Sequence, residues 1–207
     1  MSVLDVSPVI PVVVLDEVET AVPLAKALLA GGIRIVEVTL RTPTALEGIR
    51  RIAAEVPAIT VGAGTVTDVA EVDAAVEAGA HFLVSPGTTP ELRAAMLASG
   101  VPAVPGCTTV SEVMVLRELG FDELKFFPAE VSGGPEFLKA LHGPLSDLKF
   151  CATGGITAER APSYLSLPNV ACVGGSWLTP ATAITERAWG RITELASAAA
   201  ELTGLVR

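Results

Sequence analysis

Lys125 stands in the run Asp122-Glu123-Leu124-Lys125-Phe126-Phe127-Pro128, near the end of a segment with the composition of a buried strand. The chain has only three other lysines, Lys26, Lys139 and Lys149. An ammonium flanked by Leu and two Phe is costly unless it is paired, neutral or used. Desolvation disfavours the charged form, and a neutral amine is the nucleophile that makes a Schiff base. An unperturbed lysine, with a pKa of about 10.4, is only roughly 0.04% neutral at pH 7, so such chemistry needs a site that favours the free amine. A strand-end lysine that reaches solvent is the alternative reading of the same residues.

A second charged residue lies in an apolar stretch. In Ile33-Arg34-Ile35-Val36-Glu37-Val38-Thr39-Leu40-Arg41, alternation along a strand puts Ile33, Ile35, Glu37, Thr39 and Arg41 on one face. Val36, Val38 and Leu40 share the other. A carboxyl in an apolar setting suits proton transfer, and a structural ion pair with Arg41 or Lys125 is the competing reading of Glu37. Two glycine pairs, in Thr153-Gly154-Gly155-Ile156 and Gly174-Gly175-Ser176, let backbone N–H groups approach an anion. Each pair alone is an ordinary turn signal.

These residues need elements to hold them. Short apolar runs end repeatedly in Gly or Pro and are followed by helical patterns. With Gly64, Gly87, Gly106, Pro128, Gly155 and Gly175 as markers, the steps are 23, 19, 22, 27 and 20 residues, each room for a strand, a loop and a short helix. With two earlier runs, eight strands are expected near residues 8–14, 33–39, 59–63, 81–85, 102–105, 122–127, 149–152 and 170–173. Glu17 to Ala30 has helical spacing of Val18, Val22, Ala25 and Leu29, with Gly31-Gly32 as a stop. Thr67-Asp68 and Thr89-Pro90-Glu91 signal helix starts, and Ser111-Glu112 a first turn. No composition break interrupts the series, so residues 1–207 are expected to form one α/β domain, a (β/α)8 TIM barrel; a doubly wound open sheet is the runner-up. A barrel would turn Glu37, Glu123, Lys125 and Phe127 inward, with Leu124 and Phe126 outward. Lys149, although also Leu-Lys-Phe, opens its strand and belongs at the opposite mouth as a surface or ion-paired lysine.

Taken in order, Val36-Glu37-Val38-Thr39-Leu40-Arg41, Gly62-Ala63-Gly64-Thr65-Val66, Ser85-Pro86-Gly87, Leu124-Lys125-Phe126-Phe127-Pro128-Ala129-Glu130, Cys151-Ala152-Thr153-Gly154-Gly155-Ile156 and Gly174-Gly175-Ser176-Trp177-Leu178 resemble the 2-keto-3-deoxy-6-phosphogluconate (KDPG) and 4-hydroxy-2-oxoglutarate aldolases across residues 8–180. The resemblance implies a class I, metal-free TIM barrel that assembles as a homotrimer and needs no cofactor. It implies Lys125 as the Schiff-base lysine, Glu37 as general acid and base, and Arg41 with Thr65 on the substrate carboxylate. Pro86 and Phe127 would line the substrate site. Thr153, Gly154, Gly155, Gly174, Gly175 and Ser176 would take the phosphate. The implied reaction cleaves KDPG to pyruvate and glyceraldehyde 3-phosphate, and hydroxyoxoglutarate to pyruvate and glyoxylate. The lead-in before Pro8 is short, and Cys107 takes a position often held by another apolar residue.

Composition narrows the classes. A net charge of −9 without a basic cluster disfavours nucleic acid as a partner. No signal-peptide pattern and no long apolar run are seen, and three cysteines in a chain of this size suit a reducing cytoplasm. His81 and His142 are expected to be structural, one opening a strand and one in a loop, and Cys151 and Cys172 to be plain buried thiols on neighbouring strands. A phosphosugar isomerase with Glu37 as base, and a phosphometabolite-binding barrel without catalysis, are the other functional readings.

Overall fold

Residues 2–205 are described by a computed structural model. The first half alternates strand and helix: β1 (Val9–Val13), α1 (Ala21–Ala30), β2 (Ile35–Thr39), α2 (Ala45–Glu55), β3 (Thr60–Gly64), α3 (Val69–Glu77), β4 (Leu83–Val84) and α4 (Pro90–Ala98). Two short strands, β5 (Ala103–Val104) and β6 (Gly106–Cys107), precede α5 (Val110–Glu118). The chain continues through β7 (Glu123–Phe126), α6 (Gly134–His142), β8 (Lys149–Thr153), α7 (Ala161–Leu165), β9 (Val170–Gly175), α8 (Ala181–Thr185) and α9 (Trp189–Ala200). The strands form one parallel sheet in the order β5-β4-β3-β2-β1-β9-β8-β7-β6.

The two ends of that sheet lie on either side of Pro105. β5 pairs with β4 and β6 with β7. Proline has no N–H for a ladder, so pairing breaks there, yet its carbonyl accepts from Lys125 N–H at 2.9 Å. The sheet is therefore a nearly closed barrel of nine strands. Eight are expected from the sequence; the one expected at 102–105 is two short segments.

Helix starts follow their caps. Asp68 accepts from Glu71 N–H, Thr89 from Leu92 N–H ahead of Pro90, and Thr109 with Glu112 forms a reciprocal box. The helix expected from Glu17 begins as a 3-10 turn, Val18–Thr20, and becomes α-helical only at Ala21. That delay puts Pro23 in the first α-turn, where its missing N–H is not needed.

Two apolar cores result. Val36, Val38, Leu124 and Phe126 pack outward among the helices, and Phe126 stacks on Phe137 of α6 with ring centroids 4.9 Å apart. The lumen is filled by Ile10, Ile35, Phe82, Val84, Val104 and Cys172, a ring of side chains whose large members each contribute about 1.5–3 kcal/mol on burial. Val3 and Leu4 join that layer from below. Glu123 faces this N-terminal mouth, taking Val3 N–H at 3.1 Å and the Ser2 hydroxyl. Lys149 pairs there with Asp5 at 3.0 Å. The inward alternation expected for residues 33–41 holds only within β2: Ile33 precedes the strand and packs on the helix side, and Arg41 lies beyond it, exposed.

Candidate active site

Two charged side chains sit on the lumen layer at the C-terminal half of the barrel. Glu37 is the middle residue of β2 and Lys125 the penultimate residue of β7, on opposite walls. Only 1% of Glu37 and 5% of Lys125 is exposed, and Lys125 Nζ lies 3.2 Å from Glu37 Oε1. The Phe127 ring centroid is 5.4 Å from the same nitrogen. Of the two ion pairs open to Glu37 in the sequence, the structure forms the one with Lys125. A buried pair of this kind allows a proton to pass between carboxylate and amine without solvent.

Close approach makes the pair possible. Gly64, at the end of β3, faces Glu37 directly: a Cβ there would sit 2.1 Å from Glu37 Oε1. The next residue, Thr65, has φ +60°, a conformation rare for a β-branched side chain and costing about 1–3 kcal/mol. The sequence gives Thr65 no distinguishing signal; its strained backbone at the rim does. Arg41 is exposed at the same rim and makes no ion pair among the described residues. Phe127 and Pro86 are half-buried around the mouth, and Ser85 beneath Pro86 accepts from Gly106 N–H at 3.1 Å.

The glycine pairs fall on the neighbouring strand ends. Thr153 closes β8, is buried, and its hydroxyl lies 3.5 Å from Cys151 Sγ. Gly154 and Gly155 follow with φ +107° and +77°. Gly174 and Gly175 close β9, and Ser176 comes next, exposed. A cavity of about 350 Å³ opens beside Ser176, between β1 and α8, lined also by Val12, Val14, Asp16, Glu17 and Thr179. The sequence reading did not find this cavity, because Asp16 and Glu17 look there like an ordinary acidic helix start.

The other titratable candidates stay apart. His81 Nδ1 accepts from Val61 N–H at 3.2 Å. His142 ends α6 and does not lie in a loop as expected. Among the described residues no three His, Cys, Asp or Glu side chains gather where they could hold a metal ion. Cys151 and Cys172 are register partners on β8 and β9, both buried. Burial, and then the Cys151 neighbour, pushes the Cys172 thiol well above its usual value; burial pushes Cys107 up to about 12.

Similar proteins share the fold and about half of the sequence. Residues 1–195 match the family model described as KDPG and KHG aldolase. A KHG/KDPG aldolase of Escherichia coli strain K12 is 50% identical over 200 residues, 97% of this chain and 94% of that protein. A KDPG aldolase from Legionella pneumophila, crystallised with pyruvate captured at low pH as a covalent carbinolamine intermediate, superposes with a TM-score of 0.93 at 48% identity, covering 95% and 96% of the two chains. A 2-keto-3-deoxy-6-phosphogluconate aldolase of Zymomonas mobilis ZM4 with 3-phosphoglycerate gives 0.91 at 43% identity, covering 99% and 96%.

Proposed function

Given that this chain belongs to the KDPG and KHG aldolase family, we propose that Lys125 and Glu37 carry out its reaction, cleavage of KDPG to pyruvate and glyceraldehyde 3-phosphate. The observation that carries the assignment is the buried 3.2 Å contact between the two side chains. Lys125 passes a proton to Glu37 and attacks the C2 ketone; Glu37 returns that proton to the carbinolamine hydroxyl, water leaves, and an iminium forms. Glu37 takes the proton of the C4 hydroxyl, the C3–C4 bond breaks, and its electrons move to the iminium nitrogen. Glyceraldehyde 3-phosphate departs. Glu37 returns a proton to C3 of the enamine, and hydrolysis of the new iminium releases pyruvate and the Lys125 ammonium, ready for the next cycle. Hydroxyoxoglutarate carries the same pyruvyl half and would yield glyoxylate by the same steps.

On this reading Arg41 and Thr65 hold the carboxylate of the pyruvyl half, Arg41 by a two-pronged hydrogen bond. Pro86 and Phe127 wall the site. The turn Thr153–Gly155 and the segment Gly174–Ser176 take the phosphate, at the strand ends where barrels of this kind bind it. On this reading β5 and β6 count as one strand bent at Pro105, and the chain is a single-domain (β/α)8 barrel. It acts in the cytoplasm as a homotrimer; Val69, Leu97, Val110 and Met114, exposed on α3, α4 and α5, supply apolar surface for subunit contacts.

Trapping tests the assignment. Pyruvate with borohydride should inactivate the enzyme and add roughly 72 Da, the mass of a reduced pyruvyl imine. Peptide mapping should put that mass on Lys125 and not on Lys149. EDTA should not prevent it, because the iminium nitrogen is itself the electron sink. An adduct on another lysine, or full activity in Lys125→Arg, would overturn the assignment.

A further inference from the structure

The turn after β8 rests on a part of the chain that the reaction does not use. Ala129 N–H donates to Thr153 O at 2.8 Å, and Glu130 N–H to Gly154 O at 3.1 Å, so the pairing of β7 with β8 runs on into both loops. A Cβ on Gly155 would meet Cβ and Cγ of Glu130 at 2.9 Å; the turn lies directly against that side chain. Both Glu130 oxygens are held. The Tyr164 hydroxyl donates to Oε1 at 2.7 Å, and the Arg160 guanidinium pairs with Oε2. Tyr164 lies on α7 and is fully buried. Burial, and then the carboxylate it faces, pushes its phenol far above the ordinary range, so it remains a donor at neutral pH.

The arrangement answers an electrostatic problem. A free carboxylate under a phosphate-binding turn would repel the phosphate. Here Arg160 balances its charge, and Tyr164 fixes one oxygen. What remains toward the turn is the aliphatic part of Glu130, a support that only glycine at position 155 accommodates. The same loop pair joins the turn to the strand that carries Lys125, and so sets the span between amine and phosphate.

We infer that Glu130, held by Tyr164 and Arg160, is a positioning residue for phosphate recognition. It keeps the Thr153–Ile156 turn in the form that receives the phosphate and acts on the aldol substrate only through that turn. The inference rests on the phosphate reading given above.

Steady-state kinetics on the full chain separate the two. Glu130→Ala should raise KM for KDPG roughly tenfold, and Tyr164→Phe roughly threefold, a fraction of the cost of a hydrogen bond to a charged group because the loss reaches the phosphate only through the turn. Exchange of the pyruvate methyl protons in D2O needs the Schiff base but no phosphate, and should stay within about twofold of wild type in both variants. Glu130→Gln keeps the shape and an acceptor for Tyr164, and should largely restore KM. Exchange that falls in step with the rise in KM would mark a general structural role and overturn the inference. So would an unchanged KM for KDPG in Glu130→Ala beside a raised one in Ser176→Ala. If Ser176→Ala also leaves that KM unchanged, the phosphate reading falls and takes this inference with it. Should Glu130→Ala fail to fold, Tyr164→Phe decides by the same criteria.

Discussion

Glu37 Oε1 and Lys125 Nζ meet 3.2 Å apart across the barrel, 88 positions apart in the chain, with both side chains almost wholly removed from solvent. Such a pair is weak evidence for stability, because desolvating two charges offsets most of their attraction. We read it as a proton-transfer couple. The lumen below it is apolar and filled, so a proton leaving one member has the other as its nearest acceptor.

Glu37→Gln should lower kcat for KDPG by about 10²–10⁴-fold while KM for pyruvate exchange changes little. The substitution keeps the shape and removes the shuttle. It leaves the Lys125 nucleophile itself untouched. Borohydride trapping at Lys125 should therefore persist. Stopped-assay kcat together with intact-mass measurement checks both halves, and an unimpaired kcat would remove Glu37 from the mechanism.

Gly64→Ala tests the close approach that makes room for the pair. The new Cβ would fall 2.1 Å from Glu37 Oε1, so the carboxylate must move. Displacement on the ångström scale costs about 10²-fold in rate where positioned groups react. Crowding the lumen should also lower stability by about 1–3 kcal/mol. Kinetics and thermal unfolding on one sample are the measurement. Normal turnover would mean that Glu37 works from another position.

The residues to which we assign the chemistry were legible because their types conflict with their surroundings: Lys125 between Leu and Phe, Glu37 between two Val. The strand count was less so. One proline carbonyl still accepts from Lys125 N–H while the missing proline N–H breaks the ladder, and a hydrophobic run does not reveal that division. Alternation placed Glu37 inward but failed for Ile33 and Arg41, because β2 spans only five residues and period two ends with it. The support of the glycine turn was illegible. Glu130 follows β7 while Arg160 caps α7 and Tyr164 lies within it, and each looks like an ordinary surface or core residue in sequence.

The thiols should be inert in the folded enzyme. All three cysteines are buried; burial holds Cys107 near 12, so at pH 8 almost no nucleophilic thiolate is present there, and Cys151, lowered by its hydrogen bond with Cys172, is shut off from reagent by its burial. Iodoacetamide at pH 8 should label none of the three in the native protein over an hour and all three in guanidinium chloride. Mass spectrometry counts the adducts. Rapid native labelling of Cys107 would show that its strand next to β7 opens easily.

Thr65 offers the sharpest separation of stability from function. Its φ of +60° costs about 1–3 kcal/mol for a β-branched residue, whereas glycine adopts it freely. Thr65→Gly removes that strain and adds unfolded-state entropy that opposes folding by roughly 0.5–1 kcal/mol. The balance is neutral to stabilising by about 2.5 kcal/mol at most. The hydroxyl is lost from the rim beside Glu37, where we place the substrate carboxylate. KM for pyruvate exchange should then rise roughly ten- to hundredfold, the cost of one hydrogen bond to a charged group. Thr65→Ser, which keeps the hydroxyl with less strain, should hold KM near wild type. Denaturant unfolding and proton-exchange kinetics on the three proteins give the answer. If Thr65→Gly binds pyruvate normally, the strained backbone serves the chain's path over the barrel mouth and not its substrate.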